Sequence, residues 1–114
     1  IGVMAAAAIP AYQEYQTRAV VAQAWTEGAP VRNALTRHYE EKAEIPDTLA
    51  AVGQPENLPN GATLTLDPDS MVVEVATTKG TLRMEPSSTD RGIAWHCSAG
   101  EGLKDKALPA SCKK

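Results

Sequence analysis

Ile9-Pro10-Ala11-Tyr12-Gln13-Glu14-Tyr15-Gln16-Thr17-Arg18-Ala19 marks a change of pattern inside what reads as one helix. Upstream of Pro10, residues Ile1, Gly2, Val3, Met4, Ala5, Ala6, Ala7, Ala8 and Ile9 are uncharged and apolar on every side of a helical wheel. Downstream, Val21, Ala24, Trp25, Gly28, Val31, Leu35 and Tyr39 recur at three- and four-residue steps and fall on one stripe. Arg18, Glu27, Arg32, Arg37, Glu40 and Glu41 mostly lie off that stripe and are read as its solvated side. Residues 1–42 are therefore expected to form one long helix that bends and continues at Pro10 and Pro30, where each proline removes an amide donor and crowds the carbonyl four residues earlier.

A packed head covers one stripe of such a helix, not a whole cylinder. The all-round apolar stretch is roughly half of the ~20 residues that a bilayer span requires, and its four successive alanines allow close approach of other helices. Residues 1–9 are expected to seek other helices or lipid rather than their own head. The chain opens on Ile1 rather than methionine, so it reads as a processed or engineered fragment, truncated at its N-terminus. A signal-peptide tail fits less well, because no basic n-region precedes the apolar run.

Residues 43–61 gather Pro46, Asp47, Gly53, Pro55, Pro59, Asn60 and Gly61 and read as a connection of turns, within which Asp47 or Thr48 caps one short turn through Val52. From residue 62 the period changes to two. Leu64 and Leu66, Val73 and Val75, Leu82 and Met84, and Ile93, Trp95 and Cys97 each alternate with their neighbours and mark four strands. The links between them, Asp67–Ser70, Thr78–Gly80 and Pro86–Gly92, are too short for parallel crossovers, so the sheet over 62–97 is expected to be an antiparallel meander. The fold class is α+β in a single domain, with Val21, Trp25, Val31, Leu35 and Tyr39 packed on Leu64, Leu66, Val73, Val75, Leu82 and Met84 or their alternating neighbours. Residues 98–114 show no period.

At 114 residues the chain has room for one core. A hydrophobic content of 43% with 22% charged residues is globular composition and excludes a disordered polymer. The net charge of -3 supplies no global field for phosphate backbones or anionic lipid, and with two Trp, three Tyr and no Phe there is little to stack bases upon. No nucleophile motif, phosphate loop or dense ligand cluster occurs, and neither a cofactor nor a metal is expected. His38 and Glu41 stand three residues apart on the helix, but a credible metal site needs three or four ligands, and His38 reads as a surface or core-edge residue. Glu40 and Glu41 point in two directions and read as a solvated face, not an acid and base pair.

The spacing of Cys97 and Cys112 fits neither a metal knuckle nor a redox pair, and a disulfide is the natural reading. A metal reading recruits His96, whose side chain diverges from Cys97 in a strand and for which no fourth ligand presents itself. A disulfide implies maturation in an oxidising compartment, the envelope or beyond. Lys104, Lys106, Lys113 and Lys114 give the tail positive character, partly cancelled by Glu101 and Asp105. They read as solubility or as a surface loop for binding or subunit contact.

The run from Gly2 through Ala5–Ala8 to Ile9-Pro10-Ala11-Tyr12-Gln13-Glu14-Tyr15 resembles the N-terminal helix of type IV pilins of Gram-negative bacteria. Trp95-His96-Cys97 with Leu108-Pro109-Ala110-Ser111-Cys112-Lys113 is similar to that family's disulfide-closed C-terminal loop. The resemblance covers nearly the whole chain. It implies the pilin fold and a structural filament subunit, not an enzyme, whose helix residues Ile1–Pro10 pack in the filament core. It further implies residence in the inner membrane before assembly by the pilus machinery, then an extracellular pilus serving adhesion, twitching motility or DNA uptake. A host-cell or surface receptor is an implied partner; DNA binding is expected to be weak if present. The leader-peptidase site, the methylated first residue and an acidic residue near the family's mature start would all lie upstream of Ile1. A minor pilin or a type II secretion pseudopilin would share the helix, although the Cys97–Cys112 loop weighs against the major pseudopilin, which typically relies on calcium. A membrane-anchored secreted binding module is the rival from another class.

Overall fold

The computed structural model describes residues 2–110 and 112, with side chains from Tyr12 onward. Helix α1 runs Gly2–Glu27 and passes through Pro10 without ending; α2 runs Ala29–Lys42. The break falls at Gly28 rather than at Pro30, because Pro30 occupies the first turn of α2, where its missing amide costs no hydrogen bond. Backbone bonds bridge the junction, from the Gly28 N–H to the Ala24 carbonyl at 2.9 Å and from the Arg32 N–H to the Gly28 carbonyl at 3.0 Å. A Cβ at Gly28 would stand 3.0 Å from Met84 Sδ, so the missing side chain lets the helix approach the sheet closely. At the far end Ala43 closes α2 in the left-handed region, its N–H donating to the Tyr39 carbonyl at 2.7 Å.

In the following connection the Thr48 hydroxyl accepts from the Ala51 N–H at 3.2 Å and opens the 3-10 turn Ala50–Val52. Four strands follow: β1 Thr63–Leu66, β2 Val73–Thr77, β3 Gly80–Thr89 and β4 Gly92–Ala99. They form one antiparallel sheet in the order β1-β2-β3-β4, the meander expected from the short links. Register aligns the apolar faces: Leu64 opposes Val75, which opposes Leu82, and Leu66 opposes Val73, which opposes Met84, which opposes Cys97. The other face carries Thr65, Glu74, Arg83 and Ser98 across the same strands.

The α-helical side of the core is Val21, Ala24, Val31 and Leu35, packed on Leu64, Val73, Val75, Leu82 and Met84. Trp25 and Leu66 pack against this core while only partly buried. Leu49, Leu58, Met71 and Leu108 enter it from the connections and the C-terminal segment, where no period announces them.

Three expectations are corrected. Tyr39 is 38% exposed, because α2 carries it past the last buried layer at Leu35 to the rim. Arg32, read as solvated, is buried among Trp25 and Met84. The segment Pro86–Thr89, read as loop, belongs to β3, and the turn shrinks to Asp90-Arg91. Beyond Met84, β3 has β4 on one side and no strand on the other, so Pro86 can face the open edge with its missing donor.

Candidate functional site

Helix α1 is 26 residues long, and in its described part Tyr12, Gln13, Glu14 and Tyr15 are exposed, whereas the first fully buried side chain is Val21. Tyr12 and Tyr15 show 62% and 70% of their surface to solvent. Of the residues expected to make a filament core, Gly2–Pro10 lie on the helical backbone of α1, while Ile1 lies outside the described residues. Among the described residues, no helix is long and apolar enough to cross a membrane.

The head meets α1 through the C-terminal segment. After β4 the chain makes a 3-10 turn at Asp105–Ala107, which seats against the helix. Arg18 Nε donates to the Lys106 carbonyl at 3.2 Å, and Lys106 Nζ donates to Glu14 Oε1 at 2.7 Å. The hydrogen bond and charge of Lys106 hold the Glu14 carboxyl below its ordinary range, helped by Arg18 and Lys104. Between helix and segment lies an open groove of about 310 Å³ lined by Glu14, Arg18, Lys79, Lys104 and Lys106 among others. Sequence reasoning treated Lys104 and Lys106 as tail charge and placed Lys79 in a link between two strands. Nothing in their spacing shows that the chain folds them beside Arg18 and the β2–β3 turn.

The same segment is tied to the sheet by a disulfide. Cys97 on β4 and Cys112 are bonded with their Cα atoms 5.2 Å apart, closing a sequence separation of 15. The Cys97 N–H donates to the Cys112 carbonyl at 2.7 Å, and both residues are buried. Their thiols are consumed, which removes them as metal ligands to accompany His96. That imidazole instead lies on the outer sheet face with Nε2 3.6 Å from Glu85 Oε1, opposite its cross-strand partner. His38, on α2, has its Nε2 buried without a hydrogen-bond partner.

A polar residue that sequence reasoning misplaced organises the junction of the two helices. Arg32 Nη1 donates to the Trp25 carbonyl at 2.6 Å and approaches Met84 Sδ at 3.2 Å. Its guanidinium carbon lies 3.6 Å from the Trp25 ring centroid, and burial lowers its pKa to about 10. On the sheet side, Trp95 Nε1 donates to Thr36 Oγ1 at 2.8 Å and binds β4 to α2. The site as a whole is a fixed head from which one helix leaves beside a basic groove.

A family model described as Pilin (bacterial filament) matches residues 17–113. The chain is 29% identical to the curated fimbrial protein EcpC of Eikenella corrodens, in an alignment covering 99% of this chain and 81% of that protein.

Proposed function

Because this chain belongs to the pilin family of bacterial filament proteins, we propose that it builds a pilus through its N-terminal helix. The protein is a structural subunit of an extracellular pilus. In the proposed arrangement Ile1–Pro10 pack against copies of themselves in the filament core, the heads face outward, and α1 connects the two. The observation that carries this reading is the continuity of α1 from Gly2 to Glu27, with exposed Tyr12 to Tyr15 ahead of the first core residue Val21. An apolar run on a helix whose next turn, Tyr12 to Tyr15, is exposed and meets the head through the Glu14–Lys106 pair is best covered by like helices. The alanines supply little area each but permit close backbone approach, so many neighbours contribute and no single pair dominates.

The finer roles follow the same reading. The subunit waits in the inner membrane, where the pilus machinery takes it up, and the finished filament serves adhesion, twitching motility or DNA uptake through partners at the heads.

The test uses cells making the complete subunit. Ala7→Asp is expected to abolish surface filaments while the head still folds, because an unpaired carboxylate in a dry helix bundle is costly. Arg37→Ala, on the exposed face of α2, is expected to spare them. Normal filaments in the Ala7→Asp strain, seen by electron microscopy, would remove Ile1–Pro10 from the filament core.

A further inference from the structure

We propose that the basic groove beside α1 receives the acidic end of a second copy of this chain, so that heads dock end to end along the filament. The proposal rests on the filament reading above and names the head surfaces that would meet in it.

The groove gathers four cations, Arg18, Lys79, Lys104 and Lys106, against the single carboxylate Glu14, on a chain whose net charge is -3. The groove lining is therefore net positive on a net negative chain, with exposed Glu101 and Asp105 beside it offsetting part of that charge. Lys106 is engaged by Glu14, while among the described residues neither Lys79 nor Lys104 joins an ion pair. All five side chains are exposed. The opposite sign collects at the other end of the head. Glu40 and Glu41 in the last turn of α2, with Glu44 and Asp47 just beyond it, are exposed and outnumber the one cation among them, Lys42, and the negative end of the α2 dipole adds to their field.

The two patches cannot neutralise each other within one copy. Arg18 and Glu41 are separated by the length of α1 and α2 between them, about 35 Å at ~1.5 Å per residue, several times the ~8 Å over which exposed charges act at physiological salt. A second copy displaced along the helix direction brings acid to base. Such a contact joins different patches on the two copies, so it is heterologous and does not close a dimer. Repetition gives an open, polar line of heads. Nucleic acid suits the groove less well, since Glu14 projects into it and its lining holds no aromatic ring for stacking.

A charge swap in cells making the complete subunit tests the pairing, with surface filaments quantified by shearing and microscopy. Lys79→Glu with Lys104→Glu is expected to lower filament yield about tenfold or more, as like charges meeting across an interface do. Glu41→Lys with Glu44→Lys is expected to do the same. Combining all four substitutions is expected to return yield to within about threefold of the parent, because each surface again meets its opposite. All four positions are exposed, so formation of the Cys97–Cys112 bond in each variant serves as the folding control. Parental yield from the groove variant, or a combination no better than either pair, would overturn the docking. Absence of filaments from the parent itself would instead overturn the filament reading beneath it.

Discussion

The guanidinium carbon of Arg32 lies 3.6 Å from the centroid of the Trp25 ring, and Nη1 of the same group donates to the Trp25 carbonyl at 2.6 Å. One side chain thus holds both ends of the α1–α2 junction and, through Met84, the sheet beneath it. Burial depresses its pKa to about 10, yet the group stays charged at neutral pH. Its hydration is replaced by a carbonyl and an aromatic face rather than by a carboxylate. Arg32→Ala is expected to cost about 2 to 4 kcal/mol, combining a charged hydrogen bond with a desolvated cation–π contact. Arg32→Lys should recover less than half of that loss, because an ammonium has no plane to lay on the indole. Urea midpoints of the three proteins check both statements.

The helix face is tested further along α2. Leu35 is fully buried against the sheet, so Leu35→Ala is expected to cost about 2 to 5 kcal/mol through lost transfer energy and a residual cavity. Glu41→Ala, on the exposed side of the last turn, is expected to change stability by no more than about 0.5 kcal/mol. Equal urea midpoints for the two variants would mean that α2 presents a different face to the core.

These two positions show what was legible in the sequence. Leu35 follows from a repeat of three and four residues, and the meander follows from strands whose links leave no room to cross over. Arg32 was not legible. A helical wheel assigns a charged residue to solvent, and it does not reveal that a break at Gly28 turns the Trp25 ring and carbonyl toward the same guanidinium. Tyr39 fits the stripe but outruns the sheet that would cover it. Pro86 reads as a turn residue until the strand order shows that its side of β3 has no neighbour to bond. The basic groove draws Arg18, Lys79 and the pair Lys104 and Lys106 from three separate stretches of the chain, and the seating of Asp105–Ala107 on α1 brings that pair to the helix.

The pairing of Glu14 with Lys106 makes docking of the C-terminal turn depend on pH. The Glu14 carboxyl titrates below its ordinary 4.5, chiefly through the Lys106 hydrogen bond. A carboxyl depressed in the folded state contributes stability above its unfolded pKa and loses it as pH falls through the folded value. The loss therefore belongs to the acid side of 4.5, not to neutral pH. In the parent, hydrogen exchange at the Ala107 amide, which donates to the Lys104 carbonyl, should quicken as pH drops into that range, after correction for intrinsic rates. Glu14→Gln should show faster corrected exchange already at neutral pH and little further change on acidification. Because both groups are exposed, added salt should narrow the difference between the two proteins.

The disulfide fixes that same turn from its other side. Cys97 and Cys112 close a separation of 15 residues, for which loop-closure entropy gives roughly 3 kcal/mol of stabilisation by restricting the unfolded chain. The bond is not the segment's sole attachment. The Cys97 N–H donates to the Cys112 carbonyl, Ala107 and Leu108 are buried, and Lys106 grips α1, so the segment keeps native contacts when the bond is removed. The double variant Cys97→Ser, Cys112→Ser is therefore expected to remain folded at moderate temperature while losing about 2 to 4 kcal/mol in urea unfolding. Local effects should exceed the global one: exchange at the Ala107 amide should accelerate more than exchange at buried sheet positions such as Val75 and Leu82, which the bond does not touch. Both cysteines are buried, so free thiols should become measurable in the parent only after reductant and denaturant act together. An unchanged urea midpoint in the double variant would show that the C-terminal contacts alone hold the segment, and that the bond adds nothing to the fold it closes.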